Sequence, residues 1–248
     1  MEPREGEWLD PIVACVGRCA LNLVLVDGVP ASGKSTLARQ LERRLITAGR
    51  EVLLVENDWF IHPDIRDPWA LARGLGLALS GRSVEAVESA LLERFLDGLR
   101  LGRFMDGLGA AAPELEAGRR VELCLEGAWW NLALPRQWSP LRRELGPGAV
   151  VLIEGTLSRA VYHGRFPVHL SVLVDVPAET ARARFLTRNR VAETRRNLAF
   201  SALAWVSPAF RIAAEMIGRD AHLYDFRVEL GSFGAPRVFG RTVEPAKT

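Results

Sequence analysis

Five short apolar runs punctuate the chain: Leu21–Asp27 and residues 51–56, 149–154, 169–176 and 226–230. Each is too short for a typical helix and is rich in Val, Leu, Ile or Phe, so each is expected to be a buried strand. Helical patterns or long inserts separate them, and this alternation predicts an α/β fold, a doubly wound and mostly parallel sheet. The run from Ser35 to Glu42 reads as a helix. Another opens at Pro177, a residue suited to a first helical turn. Between the second and third strands the pattern changes. Residues 83–101 place Val84, Val87, Leu91, Phe95 and Leu99 near a 3.6-residue spacing, which predicts an amphipathic helix. Residues 119–130 alternate Val121, Leu123 and Leu125 with polar neighbours and predict a strand.

These elements divide the chain into an N-terminal extension over 1–20, a main domain over 21–231 with an insert over about 61–148, and a tail over 232–248. In the extension, Asp10-Pro11 is expected to cap and start one short helical turn. From Gly231 the chain is rich in Gly and Pro and is expected to run over the surface. The insert carries most of the tryptophans. They suit a stacking pocket for a planar ligand, and equally a small core of the insert's own.

Composition narrows the function classes. The hydrophobic share of 48% supports a sizeable core, and a net charge of +2 does not point to a nucleic-acid partner. Lys34 and Lys247 are the only lysines, so arginines must supply any other cations of an anion site. Cys15, Cys19 and Cys124 form no disulfide framework. The Cys15–Cys19 spacing lacks a second Cys/His pair, so the three are expected to be buried reduced thiols rather than a zinc site. No apolar stretch reaches about 18 residues and no signal-peptide pattern opens the chain, which predicts neither membrane span nor secretion but a cytoplasmic protein.

The chemistry centres on Gly28-Val29-Pro30-Ala31-Ser32-Gly33-Lys34-Ser35-Thr36, a complete G-x-x-x-x-G-K-S phosphate-binding loop between a strand and a helix. Glycines let the backbone wrap a phosphate, so the N–H groups of Gly28, Ala31, Ser32, Gly33, Lys34, Ser35 and Thr36 and the helix N-terminus face the anion. Lys34 reaches the β- and γ-phosphates of ATP or GTP, and the Ser35 hydroxyl ligates Mg²⁺. Asp27, Asp58, Glu154 and Asp175 fall at or just past strand ends, where such sheets place their sites. Asp58 suits the base that accepts a proton from an attacking hydroxyl, or else an acidic turn residue. Glu154 suits a second Mg²⁺ holder, directly or through water, or a strand-end acceptor of an N–H. After Pro177 come Arg182, Arg184, Arg188, Arg190, Arg195 and Arg196, the densest arginine cluster of the chain. Arginines of this kind neutralise a transferring phosphoryl group, and they also decorate solvated helix faces.

In order, Val26–Thr36, Asn57-Asp58-Trp59-Phe60, Val151–Leu157, Leu173–Thr180, the arginine helix, Val206-Ser207-Pro208-Ala209-Phe210 and Tyr224–Val228 resemble the uridine kinase, pantothenate kinase and phosphoribulokinase group of P-loop kinases, most nearly uridine kinase. The resemblance covers most of residues 21–230 outside 63–119. It implies that Asp58 is the catalytic aspartate that activates a hydroxyl, that Arg188 is a lid arginine near the phosphates in a lid over about 188–200, and that the insert binds the acceptor. The family's E-R-G-R run is replaced by Ala192-Glu193-Thr194-Arg195-Arg196, and its nucleoside-pocket aromatic and histidine positions find no counterpart in the insert. The expected activity is phosphoryl transfer from ATP (or GTP) with Mg²⁺ to a hydroxyl of a nucleoside or nucleoside-like acceptor, a nucleoside antibiotic among the options. Pantothenate, a sugar phosphate or another antibiotic are alternative acceptors, and a non-catalytic ATP-binding regulatory module is the rival class. A GTP-hydrolysing switch would need an N-K-x-D motif, which the lysine positions exclude. Multimeric uridine kinases leave a homo-oligomer open; neither nucleic acid nor membrane is an expected partner.

Overall fold

A computed structural model of the chain describes residues 7–17, 19–57, 102–125, 141–164, 166–191, 208–230 and 236–240. Its strands are β1 (Leu21–Asp27), β2 (Val52–Glu56), β3 (Val121–Leu125), β4 (Leu141–Leu145), β5 (Ala149–Gly155), β6 (Val168–Asp175), β7 (Phe226–Glu229) and β8 (Arg237–Gly240). Its helices are α1 (Asp10–Cys15), α2 (Lys34–Thr47), α3 (Gly102–Glu116), α4 (Ser158–Tyr162), α5 (Ala178–Val191) and α6 (Pro208–Arg219). The central sheet runs β2-β5-β1-β6-β7-β8, parallel throughout except for β8, which pairs antiparallel with β7. The doubly wound α/β reading holds. All five expected strands form, each within a residue or two of its expected ends.

Alternation along β1 builds the two halves of the core. Leu23 and Leu25 face a cluster with Phe104, Leu108, Leu115 and Tyr162. Val24 and Val26 face the opposite cluster, with Leu37, Leu41 and Leu45 of α2 and with Leu9 and Ile12. A parallel strand covered on both sides must be apolar at odd and even positions alike, which is why β1 and β5 read as unbroken hydrophobic runs.

Several elements depart from expectation. Residues 7–16 supply Leu9, Ile12 and Val16 to the core beside α2. The N-cap of α1 is Leu9 without a side-chain bond, while Asp10 lies in the first turn and pairs with Arg44. The chain after Gly231 does not simply cross the surface, because β8 extends the sheet. Helix α3 went unforeseen: its three glycines and Pro113 disfavour a helix, yet Phe104, Leu108, Ala111 and Leu115 share one buried face. The strand expected over 119–130 is β3 where described, and it pairs antiparallel with β4. The helix expected over 83–101 and most of the tryptophans lie outside the described residues. The cysteines are free but not buried: Cys15 and Cys19 are exposed and Cys124 is half-buried. Among the described residues no helix is long and apolar enough to cross a membrane.

Candidate active site

The loop between β1 and α2 has the backbone its sequence demands. Gly33 adopts φ +103° at the N-cap of α2, and Ala31 sits at φ +61°. Both lie in the left-handed region, and Ala31 accepts this at some cost in strain. The Ser32 N–H closes a turn on the Val29 carbonyl at 3.1 Å, and α2 opens with Leu37 N–H to Gly33 O at 2.9 Å. A side chain at Gly28 would meet Ser32 Oγ at 2.6 Å and the Val174 carbonyl at 2.8 Å, so only glycine fits there. The buried Ser32 Oγ has no hydrogen-bond partner among the described residues.

Ser35 and Glu154 meet as the sequence suggested. Ser35 Oγ donates to Glu154 Oε1 at 3.0 Å, joining the first turn of α2 to the end of β5. A hydroxyl beside a carboxylate, at the mouth of a phosphate cradle, is a partial oxygen set that phosphate oxygens and waters complete for Mg²⁺. Among the described residues no group of three or more His, Cys, Asp or Glu side chains gathers into a site that could hold a metal ion. Lys34 and Ser35 are half-buried and Thr36 is exposed in the same helical turn.

Beneath the loop lies a carboxylate whose role the sequence did not reveal. Asp27 is fully buried. It accepts hydrogen bonds from Gly28 N–H (2.8 Å), Arg159 N–H (3.0 Å) and the Tyr224 hydroxyl (2.8 Å). Burial raises its pKa above the usual carboxylate value, and these donors and the Lys34 charge offset that only in part. Burial and the Asp27 charge raise Tyr224 in turn. Thr156 Oγ1 adds a bond to the Gly28 carbonyl at 3.2 Å. Nothing in the linear pattern signals this network, because Tyr224 is 197 residues from Asp27.

The remaining expected residues divide. Asp58 and residues 192–200 of the expected lid lie outside the described residues, as does the side chain of Arg188, whose backbone belongs to α5. The arginine of α5 that is seen to reach the loop is Arg184, which donates from Nη1 to the Ser32 carbonyl at 3.2 Å. Asp175 ends β6 as expected, and its carboxylate accepts from Arg227 Nε at 2.7 Å. Asn57, which closes β2, is buried and takes a hydrogen bond from the Tyr162 hydroxyl at 2.9 Å.

Comparison with known proteins matches this geometry at the level of fold. A family model described as chromatin associated protein KTI12 matches residues 21–67, a stretch that includes β1, the loop, α2 and β2. No curated protein matches the chain by sequence. Among solved structures, phosphoribulokinase from Rhodobacter sphaeroides superposes with a TM-score of 0.52 at 14% identity, covering 85% of this chain and 70% of that one. D-glycerate 3-kinase from Cryptococcus neoformans var. grubii gives 0.52 at 13% identity, covering 94% and 97%. A protein from Silicibacter sp. TM1040, provisionally assigned as a fructose transport system kinase, gives 0.51 at 21% identity, covering 84% and 92%. The chain therefore has a mostly parallel α/β fold like that of these kinase structures.

Proposed function

We propose that this protein is an ATP-dependent small-molecule kinase that transfers the γ-phosphoryl group to an alcohol acceptor. The observation that supports the reading is the Ser35–Glu154 hydrogen bond beside a complete phosphate-loop sequence, a hydroxyl–carboxylate pair suited to Mg²⁺. Ser35 and Glu154 would hold Mg²⁺, which would offset the charge that develops in transfer. The protein's own part is binding and orientation. Backbone N–H groups of Gly28 to Thr36 cradle the phosphates, Lys34 pairs with them, and Asp58 orients the acceptor hydroxyl and takes its proton. Arginines of α5, Arg184 and Arg188, screen the migrating group from the lid side. The acceptor is a nucleoside or nucleoside-like alcohol bound by the insert over 61–148. The kinases of similar fold are named for glycerate, fructose transport and phosphoribulose, so sugar, sugar-phosphate and hydroxy-acid acceptors belong in the same panel.

The partial match to the chromatin associated family favours a second reading, a nucleotide-binding module without a metabolite acceptor. ADP release from Mg·ATP against nucleosides, nucleoside antibiotics, pantothenate, sugars, sugar phosphates and glycerate separates the two. A kinase releases ADP in proportion to one acceptor class. Asp58→Asn then lowers kcat by roughly 10²-fold or more, with nucleotide affinity kept. Acceptor-independent, near-zero ADP release across the panel with intact ATP binding would favour the module.

A further inference from the structure

Among the described residues strand β2 is an edge of the sheet, paired with β5. Its ladder ends at Glu56, opposite Glu154. The next residue, Asn57, is 1% exposed, and its side chain takes over where the ladder stops. Oδ1 accepts from the Tyr162 hydroxyl at 2.9 Å and Nδ2 donates to Ser158 Oγ at 3.1 Å. Tyr162 and Ser158 are themselves fully buried and are the two ends of the short helix α4. Gly155 completes the socket: a Cβ there would meet the Asn57 amide nitrogen at 2.5 Å and its Cβ at 2.7 Å. An apolar side chain could fill this volume, but only the amide serves both hydroxyls at once, so the socket specifies one orientation.

The same helix is tied to the phosphate loop. Asp27, which precedes Gly28, accepts the Arg159 N–H one residue after Ser158. The strand end that leads into Asp58 and the strand end that leads into the loop are thus both referenced to the first turn of α4.

We propose that Asn57, with Tyr162 and Ser158, is a positioning anchor that fixes the end of β2 against the same short helix that holds the strand end leading into the phosphate loop. The inference rests on the kinase reading for the role of Asp58, while the anchor itself rests on the buried hydrogen bonds alone. Tyr162→Phe deletes one hydroxyl and keeps the ring that fills the core. Ser158→Ala deletes the second partner.

The test is hydrogen–deuterium exchange on the full chain, paired with steady-state kinetics. In Tyr162→Phe and Ser158→Ala, the peptide carrying Asn57 and Asp58 exchanges at least about fivefold faster, while the peptide over residues 28–36 keeps its protection. With the acceptor that the panel identifies, kcat falls at least about tenfold and KM for ATP stays unchanged, because misplacement of the base acts on the chemical step alone. The proposal is overturned by unchanged exchange at Asn57 and Asp58. It is overturned equally by a uniform loss of protection in which kcat and KM for ATP deteriorate together, the mark of a merely structural role. If wild-type protein releases no ADP with any acceptor, the kinase reading fails instead, and local exchange still decides whether the anchor exists.

Discussion

Gly28 illustrates how one atom decides whether the loop can form. The glycine opens the phosphate cradle with Ser32 Oγ and the Val174 carbonyl crowding the place a Cβ would take. Alanine there forces the loop apart at a cost typical of overpacking, about 1–3 kcal/mol. Gly28→Ala is therefore expected to weaken ATP binding roughly tenfold or more and to lower the unfolding midpoint by several degrees, as a nucleotide titration beside a melting curve would show. Glu154 and Ser35 work at the same scale. Their hydrogen bond joins an apolar strand to a helix start 119 residues away, and the sequence offered both groups as metal-holder candidates from their places beside the motif and at a strand end. Arg184 was less readable, because Arg182, Arg184, Arg188 and Arg190 look alike in sequence, and only the path of α5 brings Arg184 to the Ser32 carbonyl.

At the scale of elements, two seams carry the scaffold. Helix α3 lays Phe104, Leu108 and Leu115 against β1 and β5. Leu108 is 2% exposed, so Leu108→Ala leaves a cavity and should destabilise the fold by about 2–5 kcal/mol in denaturant unfolding. The β1–β6 seam is irregular at Leu23 and Val24, and there the Leu23 N–H donates to His169 Nδ1 at 3.1 Å. Burial lowers the His169 pKa, and the bond requires the neutral ring. Folding therefore favours unprotonated His169. Its contribution is complete above the unfolded value of about 6.5 and is lost as pH falls from there through the lower folded pKa. Compared with His169→Gln, which does not titrate, wild-type protein should lose stability between pH 7.5 and 5.5. Parallel melting curves for the two proteins across that range would refute the assignment.

For the whole molecule, the site is assembled from the carboxyl ends of β1, β2 and β5, with α2, α4 and α5 closing on it, so nucleotide binding is linked to folding of the entire sheet. Mg·ATP at 100 times its Kd should stabilise the protein by about 2.7 kcal/mol, visible as a raised Tm. Lys34→Ala should abolish that rise without lowering the Tm of the nucleotide-free protein by more than a few degrees. A Tm shift that survives in Lys34→Ala would place the nucleotide elsewhere.

The amino-acid sequence by itself determined five of the six strands of the central sheet, their alternation with helices or inserts, and the loop with its lysine and serine. These are local facts: β1 and β5 are apolar on both faces, and G-x-x-x-x-G-K-S carries its own backbone conformation. Long-range pairing is not written locally. The Asp27–Tyr224 bond, the Asn57 socket on α4, the approach of Arg184 to the loop and the addition of β8 to the sheet all join residues far apart in the chain. Helix α3 shows the same limit, since its glycines and Pro113 argue against a helix and only burial of one face against the sheet outweighs that propensity. Tertiary structure decided these because a buried polar group takes whichever partner the packed fold brings within reach, and no periodicity in the chain announces that partner.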